Sequence, residues 1–293
     1  MMDTRQSQTP FRHRMVSIAA GRIHVVEAGP ETGPAVVFLH GWPQDWRAFS
    51  SLMALAAPEL YAIAIDLPGI GESRVTGAPG DKRGIATIVR SVMTELGLRD
   101  VTLVGHDTGG QVVFAFLTSF PNDLRRAVIM DVVIPGISPW DEVLRNPQIW
   151  HFAFHSIPQL PETLVHGKEG PYFDFFFDAI SGRPDAILRE ARAAYAEAYS
   201  TPAALSTGFD WFRAFPEDAR VNAAFASSPD RIATPLLYLR GEREGGTLET
   251  YLDGLRAAGI EHVEGDLIPA AGHFAPEEEP AAVWARIASF MHL

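Results

Sequence analysis

The chain has 293 residues, 47% of them hydrophobic and 20% charged, a balance that supports a sizeable core in a soluble globular protein. Its formal net charge of -12 argues against nucleic acid and anionic membrane surfaces as partners and is indifferent to a small neutral substrate. There are no cysteines, which excludes disulfides, thiolate metal sites and cysteine nucleophiles.

The N-terminal stretch MMDTRQSQTPFRHRMVSI has basic residues but no apolar h-region, so no secretory signal is read there. No apolar run approaches the ~20 residues that span a bilayer. The expectation is a soluble, cytoplasmic protein, monomer or homodimer, that meets neither membrane nor nucleic acid.

The first predicted strands are AVVFLHG (35–41) and YAIAIDLPG (61–69), short β-branched runs that end in Gly/Pro turns. Between them WRAFSSLMALAAP has helical spacing and stops before Pro58. A helix over 85–98 leads into the strand VTLVGHD (101–107), then a helix over 111–119 and the strand RAVIMDVVIP (126–135). This alternation with short connections predicts an α/β fold on a parallel sheet. From about Ile137 to Phe225 no strand pattern appears, and aromatic clusters such as WHFAFH and YFDFFF predict a helical lid. Alternation resumes with TPLLYLRG (234–241), a helix over 247–259, VEGDLIPAAGH (263–273) and a closing helix from about Pro280. The expected organisation is a core of residues 1–136 and 226–293, interrupted by a lid of residues 137–225.

Gly105-His106-Asp107-Thr108-Gly109 has the strand–turn–helix punctuation of a nucleophile elbow, G-x-S-x-G, with Asp107 at the apex instead of serine. A helix-capping Asp is the plain alternative, but the small residues on both sides are those a tight elbow needs. Carboxylate attack on a carbonyl would give only a mixed anhydride. Attack on an sp³ carbon bearing a leaving group gives an ordinary ester, which water can then hydrolyse. Elbow Asp therefore points to epoxides or organohalides.

Ester hydrolysis needs a base and an oxyanion hole. His273, in a Gly-containing turn late in the chain, fits the nucleophile–acid–His order of such folds. Leu39-His40-Gly41-Trp42-Pro43 follows the first long strand, and the backbone N–H groups of Trp42 and Thr108 are the candidate donors. Two acids compete to orient His273. Asp131 lies inside the apolar run AVIMDVVIP and needs a buried partner; Glu244 follows the next core strand in GERE. Asp131 is favoured, because a buried carboxylate best orients an imidazolium.

His40-Gly41-Trp42-Pro43, the elbow and Gly272-His273-Phe274 together make the chain resemble the α/β-hydrolase epoxide hydrolases and their dehalogenase relatives, over nearly its whole length. Trp150-His151-Phe152 and Met130-Asp131 are similar to the bacterial epoxide hydrolases of the cystic-fibrosis-channel inhibitory factor type, a group that also resembles fluoroacetate dehalogenases. The resemblance implies an α/β-hydrolase fold with a mostly parallel sheet and a cap inserted after the sixth strand. It implies a relay acid after that strand, which supports Asp131, and a lid His and a lid Tyr that hydrogen-bond the epoxide oxygen. His151 matches the His. Phe212 stands where the family has the Tyr, so ring opening would rest on His151 or recruit Tyr199, Tyr195, Trp150 or Trp211.

Haloalkane dehalogenases carry Trp directly after the nucleophile, where this chain has Thr108, and fluoroacetate dehalogenases carry arginines just after it, where Thr108–Gln111 offer none. Epoxide hydrolysis to a diol is the leading expectation; dehalogenation and ligand binding without hydrolysis are the alternatives. The expected substrate is a small apolar or aryl epoxide, held among His40, Pro43, Trp150, Phe152, Tyr199, Trp211, Phe212 and Phe274. No metal pattern and no phosphate or dinucleotide loop is found, and the chemistry needs no cofactor.

Overall fold

A computed structural model describes residues 11–293, so most of the N-terminal stretch read above for a leader lies outside the described residues. The chain enters the sheet earlier than the sequence reading has it. A hairpin of β1 (Arg12–Ile18) and β2 (Gly21–Ala28) precedes β3 (Ala35–Leu39). β1 lies at the sheet edge and leaves most of its residues exposed, which dilutes the apolar alternation that would announce it.

The other strands are β4 (Tyr61–Ile65), a two-residue β5 (Arg74–Val75), β6 (Val101–His106), β7 (Leu124–Met130), β8 (Leu236–Gly241) and β9 (Val263–Ile268). They form one sheet in the order β1-β2-β4-β3-β6-β7-β8-β9, with β5 beside β2. From β4 to β9 every pairing is parallel; β2 runs antiparallel to β1, β4 and β5. Both faces are covered, as parallel sheets require. Val36, Phe38 and Val104 pack on one side with the helices Ser50–Ala56 and Pro280–Met291. Val37, Leu39 and Leu103 pack on the other with the helices Lys82–Glu95 and Thr108–Ser119.

Several predicted strands end sooner than expected. β7 stops at Met130, and Asp131 turns away with φ 47°. The helix predicted to start at 85 starts at Lys82, because the Asp81 side chain caps the Gly84 N–H. Between β7 and β8 the described chain is wholly helical or irregular, from Trp140–Leu144 to Phe215–Ala226.

The sheet order brings the chemistry together. The chain leaves β3 to pair β4 on one side and returns to pair β6 on the other. A crevice therefore opens at the carboxyl ends of β3 and β6, the place where open α/β sheets bind ligands. His40, Asp107, Asp131, Glu244 and His273 all follow the carboxyl ends of parallel strands. No helix among the described residues is long and apolar enough to cross a membrane.

Candidate active site

Asp107 sits at φ 48°, ψ -123° between β6 and the helix Thr108–Ser119, a conformation costing a non-glycine residue about 1–3 kcal/mol. The turn closes because its neighbours lack side chains. A Cβ at Gly105 would stand 2.2 Å from the Gly109 carbonyl oxygen, and one at Gly109 would stand 2.0 Å from that of Leu39. Gly41 is equally constrained: a Cβ there would lie 2.5 Å from the Asp107 Cβ. The loop after β3 and the turn after β6 thus touch at Asp107 itself.

The Trp42 backbone N–H donates to Asp107 Oδ2 at 2.8 Å. Thr108 reaches the same oxygen through its hydroxyl, at 3.4 Å. Among the described residues Trp42 is the only backbone donor to this carboxylate, and Oδ1 is left as the free oxygen.

His273 is held by Glu244, not by Asp131, the acid favoured from the sequence. Its Nδ1 lies 3.2 Å from Glu244 Oε1. Arg240 Nη2 donates to the other Glu244 oxygen at 3.0 Å. Asp131 Oδ1 instead accepts the Gly241 N–H at 2.6 Å, while its buried Oδ2 has no partner among the described residues. The short side chain of Asp131, turned by its positive φ toward β8, spends its reach on the Gly241 backbone; the longer Glu244 reaches the ring. The Arg240 partnership is missed from the sequence, although a charged residue ending the apolar strand LLYLRG calls for an acid nearby.

The electrostatics follow. Burial opposes ionisation of Glu244, but the hydrogen bond and charge of His273, aided by Arg240, outweigh it and hold the carboxyl below its ordinary range. Burial and the neighbouring Glu244 push Asp131 well above that range. Burial would lower His273, yet the Glu244 hydrogen bond and charge and the Asp107 charge raise it to about 9. Burial, with His273 close by, lowers His151 to about 3. At neutral pH the site therefore holds a His273 imidazolium and a neutral His151.

A cavity of about 920 Å³ opens over Asp107 and His273. Its walls include Trp42, Trp150, His151, Phe152, Phe212 and Phe274 from the expected set, together with Phe175 and Phe176 from the helix Glu169–Ile180, which the sequence reading takes only as packing. Asp131 and Glu244 also reach it.

Four expected substrate contacts lie elsewhere. His40 is buried behind the loop, its Nδ1 donating to the Gly41 carbonyl and its Nε2 accepting the Leu67 N–H. Pro43, joined to Trp42 by a cis peptide bond, is turned away from the cavity. Trp211 is fully buried, its indole N–H has no partner among the described residues, and its carbonyl accepts from Lys82. The Tyr199 hydroxyl donates to the Gln44 carbonyl at 3.1 Å. Tyr195 likewise spends its hydroxyl on Glu277, at 2.9 Å. Neither tyrosine can stand in for the hydroxyl missing at Phe212.

Residues 36–286 match the model of the Alpha/beta hydrolase family. This chain belongs to that family. The hydrolase is 31% identical over 284 residues to the soluble epoxide hydrolase of Corynebacterium sp. strain C12, covering 94% of this chain and 95% of that one. The solved structure of the epoxide hydrolase CorEH superposes with a TM-score of 0.87 at 29% identity, covering 97% of this chain and 99% of the other. That of Cfl2 from Burkholderia cenocepacia gives 0.90 at 29%, with 97% of each chain covered. A fluoroacetate dehalogenase from Burkholderia sp. is 30% identical over 172 residues, 56% of each chain. Likeness over almost the full length puts this hydrolase in the epoxide hydrolase class.

Proposed function

We propose that this hydrolase opens an epoxide to a vicinal diol through a covalent ester on Asp107. The observation that carries the reading is the Asp107 carboxylate, fixed by the Trp42 N–H on one oxygen and open on the other, below a cavity that also holds the His273–Glu244 pair.

Asp107 Oδ1 attacks an epoxide carbon, and the C–O bond of the ring breaks. The leaving oxygen accepts a hydrogen bond from neutral His151 and takes up one proton, which the His273 imidazolium gives in the wild type and solvent water gives when that ring is replaced. Ester formation removes the Asp107 charge that helps to raise His273, so the ring becomes neutral and basic when it is needed. His273 then deprotonates a water that attacks the Asp107 carbonyl carbon. Oδ2, now carrying the oxyanion, is already bonded by Trp42, and the Thr108 N–H at the helix start is the second donor. Collapse releases the diol, regenerates the Asp107 carboxylate and leaves the proton on His273. Glu244 orients the ring, and Asp131 stays bonded to the Gly241 N–H. The helical insert acts as a cap whose aromatic wall selects an apolar or aryl substrate.

Dehalogenation is the second reading. A halide leaves without needing a proton, which suits a cavity where Phe212 replaces a hydroxyl donor. A His273→Gln variant separates the two. Incubated with an aryl epoxide, it should gain the mass of the whole epoxide, and Asp107→Asn in addition should abolish the gain. An adduct with a halogenated substrate alone, less the elements of the hydrogen halide, would replace the epoxide reading; no adduct with either would overturn both.

A further inference from the structure

Behind the site runs a chain of buried polar side chains that the reaction above does not use. The Tyr195 hydroxyl donates to Glu277 Oε1 at 2.9 Å. Glu277 Oε2 lies 2.5 Å from Gln44 Nε2, Gln44 Oε1 lies 3.1 Å from His106 Nδ1, and His106 Nε2 lies 2.6 Å from the backbone carbonyl oxygen of His273. Gln44 and His106 are almost wholly buried, so no water resolves their donor and acceptor roles.

The roles can be counted from the fixed end. A backbone carbonyl only accepts, so His106 Nε2 must carry a proton. If Gln44 also turns its oxygen to Nδ1, His106 must carry both ring protons. If His106 is neutral, Nδ1 is an acceptor and must face the Gln44 NH₂. The amide oxygen and nitrogen then exchange places, as two nearly isosteric groups can. That puts the Gln44 oxygen against a Glu277 oxygen, a contact that closes only with a proton between them. Either way, the chain holds one proton more than a carboxylate and a neutral imidazole.

We propose that the extra proton resides on Glu277, and that Tyr195, Glu277, Gln44 and His106 form one head-to-tail donor chain whose last N–H fixes the His273 peptide. Each donor points toward His273, so the bonds reinforce one another. The opposite peptide face is held as well, because the His273 N–H donates to the Ile180 carbonyl at 3.0 Å. The surroundings favour this placement. Burial, helped by the nearby Asp45 and opposed by Tyr195, Gln44 and Arg192, pushes Glu277 up to about 7. His106 is lowered to about 3 by burial and by His273, against the pull of Asp107; His40 is also near and lowers it further. Tyr195 is raised well above the phenol range by burial and by Glu277, and keeps its proton.

These are positioning residues, and their role in the reaction rests on His273 being its base. The chain itself can be tested without any substrate. Once Glu277 ionises, Gln44 turns its NH₂ to the carboxylate and its oxygen to His106, whose single proton moves to Nδ1, and the bond to the His273 carbonyl is lost. Nitrogen NMR of ¹⁵N-histidine protein, with His106 assigned from its absence in a His106→Gln variant, reads this directly. The expected result is a neutral Nε2–H ring at low pH that switches to Nδ1–H as pH rises through about 7. Glu277→Gln, whose amide donates to Gln44 and accepts from Tyr195 at every pH, should stay Nε2–H throughout, with slowed exchange of the His273 amide retained. A wild-type ring that is already Nδ1–H at about pH 5 would overturn the proposal, as would one that is doubly protonated below pH 7; a ring that keeps Nε2–H to about pH 9 would support it, with the Glu277 proton held that far. The wild-type titration decides even if Glu277→Gln fails to fold. If Asp107 never forms an ester, the tautomer result still stands on its own.

Discussion

His273 Nδ1 lies 3.2 Å from Glu244 Oε1, while Asp131, on the neighbouring strand end, gives its one bonded oxygen to the Gly241 N–H. Two acids thus stand near His273, and Glu244 is the one that bonds its ring. Glu244→Gln is expected to slow ester hydrolysis by about 10²–10⁴-fold, the scale of losing a ring-orienting carboxylate. Asp131→Asn, which leaves the Glu244–His273 contact in place, should stay within about tenfold of wild type. Single-turnover kinetics measure both, and the reverse order would assign the acid to Asp131.

The ambiguity between those acids shows what a sequence can and cannot carry. Asp107 and His273 are legible because the elbow glycines and the late Gly-His turn are local patterns tied to the ends of strands. Which acid reaches His273 depends on side-chain length and on the φ of 47° at Asp131, and neither is written in a spacing. His40 and Tyr199 fail as substrate contacts for a similar reason. Their polar atoms are consumed by Gly41, Leu67 and Gln44, partners fixed only by packing. The β1–β2 hairpin is faint because its edge strand buries little.

Phe212 lines the cavity, its ring centroid 6.1 Å from that of His151. Phe212→Tyr should return a second donor to the leaving oxygen and speed epoxide opening by about 3–10-fold, the worth of one hydrogen bond of about 0.5–1.5 kcal/mol. The rate of ester formation in a His273→Gln background reads this step alone. No gain for an epoxide would mean that His151 suffices.

Gly41 abuts Asp107 so closely that Gly41→Ala must displace either Asp107 or the Trp42 loop. A shift of about 1 Å at a reacting group costs on the order of 10²-fold, so kcat should fall by about that factor. Unchanged far-ultraviolet circular dichroism alongside the loss would place the effect in the site.

The folded His273 value of about 9 stands above the ordinary 6.5, so its stabilising contribution is complete below pH 6.5 and is lost as pH rises through 9. Glu244 is lowered from 4.5, so its contribution is complete above 4.5 and fades as pH falls below that value. The melting-temperature advantage of wild type over His273→Gln should therefore shrink between pH 6.5 and 9. An advantage that grows over that range would contradict the imidazolium assigned to the resting site.

A single turnover in H₂¹⁸O tests for the covalent ester on Asp107. With enzyme in excess over an aryl epoxide, the oxygen added to the substrate comes from Asp107 Oδ1, and water replaces it in the protein. The first-turnover diol should be unlabelled, and the peptide containing Asp107 should carry one ¹⁸O. Label in the first diol with none in that peptide would mean that water attacks the epoxide directly, and Asp107 would then be no nucleophile.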